Sequence, residues 1–468
     1  MLIWFVMLYL LISIGIGLYA AIRVHSAKDY AVAGRSLPLY IVTATVFATW
    51  FGSETVLGTS ATFLQDGLKG IVADPFGASM CLVLVGLFFA RRLYRMNLLT
   101  IGDYYRQRYG RAVELLTSLA IVASYLGWVS AQITALGLVF SLLTHGSISA
   151  HDGMIIGAGI VLVYTLFGGM WSVALTDFFQ MIIIVVGMLY IGWVVSGYAG
   201  GVDNVVSHAQ AAGKFQFWPR LETRDVLAFS AAWVTMMFGS IPQQDVFQRV
   251  MSARSENIAV TGAVLGGSLY FLFAFIPIFL AYSALLIDPA SVSALLGTDP
   301  QHILPDLILN HTPVFAQVMF FGALLSAIMS TASGTLLAPS VTFTENILKP
   351  FIGHLSDRHL LWAMRAVVVG FACIVTLFAL NSNASIYKMV ENAYKVTLVA
   401  AFVPLVFGLY WKRANTQGAL FAIVAGVSSW LLLEIFHPDG LWPPQLFGLL
   451  MSLAGMLVGS LISRKHSV

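Results

Sequence analysis

A single carboxylate stands within an apolar run near the beginning of the chain. Glu54 follows Gly52 and Ser53 in the stretch 44–58, at the predicted mid-depth of a hydrophobic segment. A charge at bilayer depth costs about 2.5–3.5 kcal/mol even on the mild insertion scale, so an acidic residue there indicates a function. Glu54 could bind a cationic substrate, another cation or a proton. The alternative is a protonated or hydrogen-bonded glutamic acid that serves helix packing.

Small hydroxyl residues share one face of a later apolar segment. Ala327, Ser330 and Thr331 are spaced i, i+3 and i+4, which places them together on a helix. Two hydroxyls and a carbonyl offer the neutral hard oxygens that an alkali cation accepts. Read alone, the stretch 326–334 also fits a small-residue packing face between helices.

Two aspartates lie near predicted segment ends. Asp177 lies one turn inside a segment, where it could line an ion path or accept hydrogen bonds from helix-start amides. Asp74 precedes Pro75, a pattern that predicts an N-cap followed by proline at the first helical position. The ten histidines fall in loops or at segment ends without ligand spacing, so we predict no metal site beyond one for an alkali cation.

These residues need a membrane scaffold. The 468 residues are 59% hydrophobic and only 10% charged, and the mean hydropathy is +0.87, which is too apolar for a soluble domain. The chain has no basic run with interleaved aromatics and no phosphate-binding or catalytic motif. We therefore exclude a nucleic-acid partner, an ATP-driven pump and a membrane enzyme, and we expect one transport domain over residues 1–468 within a lipid bilayer.

Apolar runs long enough to cross about 30 Å of hydrocarbon predict an all-α protein of about thirteen transmembrane helices. The predicted segments cover residues 2–22, 40–62, 75–95, 114–143, 152–168, 173–196, 226–248, 259–285, 313–345, 361–380, 388–410, 416–436 and 445–463.

Two of these segments are interrupted at comparable places, at Gly52-Ser53 and at Gly239–Pro242. Glycine and proline are common in membrane helices, but paired breaks are typical of inverted-repeat carriers, in which the freed backbone binds substrate and coupling ion. We predict a five-plus-five inverted repeat with two broken helices. Its parts are an extra first helix and loop (1–39), repeat one (40–196), repeat two (226–410) and the last two helices with a tail (411–468).

The distribution of positive charge predicts the orientation. One loop face collects most of the 24 lysines and arginines, with Arg249, Arg464 and Lys465 among them. Because cytoplasmic loops retain positive charge, we expect the N-terminus outside and the C-terminus in the cytoplasm, in a plasma or inner cell membrane. An odd number of segments agrees with that orientation.

Several motifs together resemble the sodium:solute symporter family, in family order over roughly residues 30–415. They are 33–37 (AGRSL), 48–50 (ATW), 164–172 (YTLFGGMWS), 175–180 (LTDFFQ), 242–250 (PQQDVFQRV) and 327–332 (AIMSTA). The resemblance implies the five-plus-five fold and sodium as the coupling ion. It also implies that the sodium site is built from Ala48, Phe51, Ala327, Ser330 and Thr331, with Asp177 on the route of sodium.

Within that family the sequence is most similar to the high-affinity choline transporter branch, which holds a quaternary ammonium in an aromatic cage. Trp50 and Trp128 match two cage positions. Gln243 stands where the branch has tryptophan, Ala78 stands where it has tyrosine, and Glu54 replaces a glycine. Half of the cage is therefore missing, and a negative charge is added that could compensate for a lost ring if the substrate is a cation.

We therefore expect sodium-coupled symport of a small organic solute by alternating access. The substrate predicted is a cationic or zwitterionic amine such as choline, bound by Trp50, Glu54, Trp128 and Gln243. The alternatives are a sodium symporter for proline, a monocarboxylate or a sugar, a proton-coupled carrier that uses Glu54, and a carrier-like membrane sensor.

Overall fold

The computed structural model of the chain describes residues 2–353, 356–382 and 384–462. Arg464 and Lys465, which contribute to the predicted orientation, lie outside the described residues. The α-helices are α1 (Leu2–Ala21), α2 (Ala27–Val32), α3 (Leu39–Trp50), α4 (Ser60–Asp66), α5 (Ala78–Leu84), α6 (Arg91–Arg95), α7 (Ile101–Tyr109), α8 (Arg111–Leu143), α9 (Ala150–Tyr198), α10 (Val202–Ala211), α11 (Thr223–Gly239), α12 (Gln244–Ser252), α13 (Glu256–Ile287), α14 (Pro289–Thr298), α15 (Ile303–His311), α16 (Val314–Thr342), α17 (Lys349–Ile352), α18 (Asp357–Asn381), α19 (Ile386–Thr397), α20 (Val403–Tyr410), α21 (Thr416–Phe436) and α22 (Pro444–Ile462).

Short turns of tighter or wider winding join several of these helices. The 3-10 turns are Ala33–Arg35, Leu68–Ile71 and Pro300–His302, and the π-helical turns are Glu54–Thr59, Val72–Gly77, Val85–Ala90, Phe343–Leu348 and Leu398–Phe402. π-helical turns inside longer helices are frequent at functional sites. The first of them begins at Glu54, the carboxylate that the sequence places in an apolar run.

Ten helical runs within the described part of the chain are long and apolar enough to cross a membrane, and α11 with α12 adds an eleventh if the bent pair is one span. The prediction of a multi-pass, all-α membrane protein is confirmed, whereas the count of thirteen is not. One reason is that α9 counts once as a continuous run, although the kink at Gly169 divides it into two arms that match the predicted segments 152–168 and 173–196. A second reason is that segment 40–62 begins with α3, a helix of only 12 residues.

Helix α9 bends where the sequence predicts a loop. Its 49 residues would extend about 73 Å at 1.5 Å per residue, which is more than twice the thickness of the hydrocarbon core. The bend lies at Gly169, whose φ of 50° and ψ of −138° suit glycine because it has no Cβ. A Cβ at this position would also collide with the backbone and ring of Tyr30. The Gly-Gly motif therefore separates two helical arms of α9, which match the predicted segments 152–168 and 173–196.

Both predicted helix breaks are present. Helix α3 ends at Trp50, and helical structure resumes at Glu54 with a π-helical turn. Helices α11 and α12 meet at an angle of 43°. The two broken helices are thus confirmed, while the repeat boundaries at residues 40–196 and 226–410 stay predictions.

Helix α16 lies at the centre of the fold. Every residue from 323 to 342 is buried, and the helix packs against α1, α3, α8 and α9. Alanine, serine, threonine and glycine dominate this stretch, and small side chains allow helix backbones to approach closely. The predicted packing role of residues 326–334 is therefore confirmed, and it does not prevent the same hydroxyls from facing a site.

Candidate functional site

The break after α3 lies directly against α16. The hydroxyl oxygen of Thr331 is 2.7 Å from the point that a Cβ on Gly52 would occupy. Outside the helices, no backbone N–H of the described residues donates to the carbonyl oxygen of Ala48 or Phe51. Unpaired carbonyls are a normal feature of a helix end and can serve a ligand. The structure therefore brings the 48–52 segment next to Thr331.

The other two predicted residues of α16 lie one turn from Thr331 or directly before it. Ala327 and Ser330 are fully buried, and Ser330 Oγ donates to Asp177 Oδ1 at 2.7 Å. The Thr331 hydroxyl has no hydrogen-bond partner. A buried polar group without a partner costs about 1–3 kcal/mol. The Thr331 oxygen is thus available to a ligand that accepts hard oxygens, such as an alkali cation.

Asp177 ties three helices together through hydroxyl groups. Besides the Ser330 hydroxyl, its carboxylate accepts hydrogen bonds from the Thr45 hydroxyl and from Thr49 Oγ1 at 3.3 Å. Thr45 and Thr49 belong to α3, and Ser330 belongs to α16. The alternative in which Asp177 accepts from helix-start amides is wrong, because the described hydrogen bonds to its carboxylate come from hydroxyl groups.

A buried arginine belongs to the same cluster, although the charge count assigns it to a cytoplasmic loop. Arg249 is only 1% exposed and lies in α12. Its Nε and Nη2 donate to Thr49 Oγ1 at 3.2 and 2.6 Å, and its Nη1 donates to the carbonyl oxygen of Asp245 at 2.9 Å. Because the helix break precedes α12, that short helix is held inside the protein, and Arg249 is held with it.

Glu54 is held by two neutral donors. Its Oε1 accepts from Trp128 Nε1 at 3.0 Å, and its Oε2 accepts from Gln132 Nε2 at 2.7 Å. The Gln132 Oε1 accepts from the backbone N–H of Ser53 at 3.0 Å, which fixes the orientation of the amide. The carboxylate is only 4% exposed, and none of the described ion pairs includes it. A buried charge of this kind calls for a counter-charge.

Four aromatic rings cluster beside Glu54, and the sequence analysis missed two of them. Trp50 lies 5.5 Å from Trp128 and 6.1 Å from Tyr394, and Trp128 lies 5.4 Å from Tyr394 and 6.0 Å from Tyr125, all between ring centroids. These separations are typical of rings in contact, so a ligand between them requires the rings to part. Tyr394 comes from α19 and Tyr125 from α8, and no local sequence pattern marks either of them.

Gln243 lies beside this cluster, but its polar atoms bind other protein groups. Its Nε2 donates to Ser124 Oγ at 3.0 Å and to Thr397 Oγ1 at 3.3 Å. Its Oε1 accepts from Ser124 Oγ at 3.3 Å. Ser124 precedes Tyr125, and Thr397 is one helical turn from Tyr394. In this conformation Gln243 thus bridges the segments that carry Tyr125 and Tyr394.

Asp74 does not cap a helix, contrary to the sequence prediction. Its carboxylate accepts hydrogen bonds from Thr55 Oγ1 at 3.1 Å and Thr59 Oγ1 at 2.8 Å, and also from the hydroxyl of Tyr270. The backbone at Asp74 is extended, with φ −133° and ψ 119°. This conformation turns the side chain toward the broken second segment, so Asp74 ties that segment to α13.

Several polar atoms around the break are buried and without a hydrogen-bond partner. They are Trp50 Nε1, Ser53 Oγ, Asp245 Oδ2, Thr331 Oγ1 and the Tyr394 hydroxyl. Most buried polar groups in folded proteins are paired, and each exception calls for an explanation. These atoms come from five positions along the chain, near the two helix breaks, and they are candidates for contact with a ligand.

The comparisons with known proteins agree with this fold. The human protein named High affinity choline transporter 1 is 30% identical over 94% of this chain and 79% of its own length. The Sodium/pantothenate symporter of Escherichia coli (strain K12) is 26% identical over 97% of this chain and 94% of its own length. A solved structure of a Na+-coupled sialic acid symporter, in a substrate-bound outward-open state, is 19% identical with a TM-score of 0.85, covering 98% of this chain and 96% of that one.

The family model described as the sodium:solute symporter family matches residues 30–426, which is most of the 468-residue chain. The predicted resemblance and the expected coupling ion are thereby confirmed. The chain belongs to the sodium:solute symporter family, a family of membrane transport proteins, and its coupling ion is sodium.

Proposed function

We propose that the chain carries a small cationic or zwitterionic amine, such as choline, together with sodium. The observation that supports this substrate is Glu54, a buried carboxylate held only by neutral donors beside the Trp50, Trp128 and Tyr394 rings. An ammonium group there neutralises the carboxylate and gains up to about 2 kcal/mol from a well-placed ring. Similarity to a relative named as a choline transporter also supports an amine. In this proposal Gln243 completes the substrate site.

The proposed sodium site adjoins Glu54, because Thr331 Oγ1 and Glu54 Oε2 both lie close to the point that a Cβ on Gly52 would occupy. Carbonyl oxygens of Ala48, Phe51 and Ala327 and hydroxyls of Ser330 and Thr331 hold the ion, as the free Thr331 oxygen supports. Asp177 bonds the Ser330 hydroxyl, and in this proposal it receives sodium on its way to the cytoplasm.

The proposed cycle is alternating access, in which sodium and solute bind between two repeats that then rock together. One sodium ion gains about 2.3 kcal/mol across 100 mV, and a tenfold gradient adds about 1.4 kcal/mol. Together these terms support accumulation of a neutral solute by roughly a few hundredfold. In the cell, we place the N-terminus outside and the C-terminus in the cytoplasm of a plasma or inner membrane, and the chain acts as a carrier and not as an enzyme.

Uptake into proteoliposomes tests the proposal. Labelled choline, betaine, proline, pantothenate and glucose are compared with and without an inward sodium gradient, for wild type and Thr331→Ala. Ser452→Ala is the matched control, because the Ser452 hydroxyl is equally buried and unpaired but lies in α22. We expect sodium-stimulated amine uptake in wild type, and we expect Thr331→Ala to reduce it about tenfold or more. This reduction corresponds to a loss of about 1.4 kcal/mol of sodium-binding free energy when one oxygen ligand is removed. Uptake of only pantothenate or glucose would refute the amine.

A further inference from the structure

A second buried carboxylate contacts the same aromatic cluster as Glu54. Asp245 is in the first turn of α12, immediately after the second helix break, and is fully buried. Its Oδ1 accepts a hydrogen bond from the Tyr125 hydroxyl, and its backbone N–H donates to the same hydroxyl at 2.8 Å. One side of Asp245 is therefore fixed by α8.

The other carboxylate oxygen of Asp245, Oδ2, is buried and makes no hydrogen bond within the part of the chain that the structure describes. Arg249, the nearest cation along α12, donates to the Asp245 carbonyl oxygen at 2.9 Å and forms none of the described ion pairs. The position near a helix N-terminus favours a negative charge there, but it does not supply the missing donor. An ionised oxygen without a donor is costly in a buried site.

The two carboxylates are connected through stacked rings. The Tyr125 ring stacks on Trp128 with centroids 6.0 Å apart, and the Trp128 indole donates to Glu54 at 3.0 Å. Glu54 and Asp245 are thus linked through the Trp128 and Tyr125 rings. Tyr394 packs on Trp128 at 5.4 Å, and its hydroxyl makes no hydrogen bond within the described residues. Both carboxylates therefore contact the same ring cluster.

We propose that Asp245 is a second substrate-binding carboxylate and therefore a specificity-determining residue. Its Oδ2 accepts a hydrogen bond from a hydroxyl or ammonium group at the end of the substrate that lies away from Glu54. This inference rests on the proposed function and narrows it to small amino alcohols and diamines. An amine that ends in a carboxylate, such as betaine, is disfavoured because it places two like charges side by side at Asp245.

Matched ligand pairs test this inference whichever amine is the natural substrate. Choline is compared with N,N,N-trimethylpropylammonium, in which a methyl group replaces the hydroxyl, and ethanolamine is compared with n-propylamine. Dissociation constants are measured by tryptophan fluorescence in saturating sodium for wild type, Asp245→Val and Asp245→Asn. Asp203→Asn, at an exposed position of α10, is the control for loss of one negative charge.

We expect wild type and Asp203→Asn to prefer the hydroxyl compound of at least one pair by about 10- to 100-fold, as for a hydrogen bond to a charged group. In Asp245→Val the preference should fall to near one, with the affinity for the methyl compound little changed. Asp245→Asn should be intermediate, because its amide oxygen still accepts a hydrogen bond, and it decides the test if Asp245→Val does not fold.

Two results would overturn the inference, and they differ from failure of the proposed function. If wild type binds both members of each pair equally, or if both Asp245 variants keep the preference, Asp245 is not a substrate ligand although amine transport stands. If wild type binds none of the four amines in sodium, the proposed function fails and the inference fails with it.

Discussion

Replacing Glu54 by glutamine separates its charge from its size. Both of its partners, Trp128 Nε1 and Gln132 Nε2, are donors, and an amide has only one acceptor oxygen for the two of them. Gln132 cannot simply turn over, because its own oxygen accepts from the Ser53 N–H at 3.0 Å. We therefore expect one donor to lose its partner, at about 1–3 kcal/mol of stability.

The larger effect of Glu54→Gln concerns the ammonium group of the substrate. A hydrogen bond that involves a charged partner contributes about 1.5–3 kcal/mol, so the dissociation constant for an amine should rise about 10- to 150-fold. Sodium-stimulated transport at saturating amine should persist, because the proposed sodium ligands are other residues. The assay measures KM for amine and the half-saturating sodium concentration in proteoliposomes, with Ser452→Ala as the control.

An unchanged KM for the amine in a folded Glu54→Gln protein would refute this reasoning. The reasoning would also be refuted if Glu54→Gln weakened the binding of an amine and of an uncharged solute such as glucose equally. Equal weakening indicates a structural defect and not the loss of a charge that binds the ammonium group. If sodium dependence itself disappears while the amine still binds, Glu54 serves the ion and not the substrate.

Two further substitutions follow from the packing around the break. In Gly52→Ala the new methyl group would collide with both Glu54 Oε2 and Thr331 Oγ1, so we expect sodium-stimulated uptake to fall at least tenfold. Gly370→Ala, where nothing lies within 4 Å, should transport normally, and a loss of activity there would show that helix glycines matter for another reason. Arg249→Leu removes the donors to Thr49 and should lower the free energy of unfolding by about 1–3 kcal/mol for each acceptor left unpaired. Thermal unfolding in detergent measures this loss, and an unchanged melting temperature would contradict it.

The sequence predicts the parts of the site that lie near helix breaks or match family motifs. Glu54 is recognisable because a carboxylate in an apolar run is rare, and Trp128 follows from the resemblance; the structure joins the two by a hydrogen bond. Ser330 and Thr331 share a helix face by simple periodicity. Asp177 lies opposite them on a neighbouring helix. The sequence places it near a helix start because the Gly-Gly motif predicts a loop, and the structure has a kink in α9 at that motif.

The residues that the sequence analysis missed owe their position to tertiary contacts. Tyr394 is brought to Trp128 by the packing of α19 against α8, a contact between distant parts of the chain that no local pattern encodes. Arg249 counts as a loop charge in the sequence because charge counting assumes that arginines lie outside the bilayer core. Asp245 sits in the same short helix, and the break at Pro242 is the signal that could have indicated its burial.

Because Gly52 has no side chain, it leaves space that affects the free energy of binding two cations. The Thr331 hydroxyl and the Glu54 carboxylate both border the space beside Gly52, so a sodium ion and an ammonium group bound there would be close neighbours. Two unit positive charges about 6 Å apart repel by about 3 kcal/mol at an effective dielectric constant near 20. A carboxylate attracted to both cations offsets that repulsion and can make their binding cooperative. Cooperativity is reciprocal, so the factor by which sodium tightens amine binding must equal the factor by which the amine tightens sodium binding.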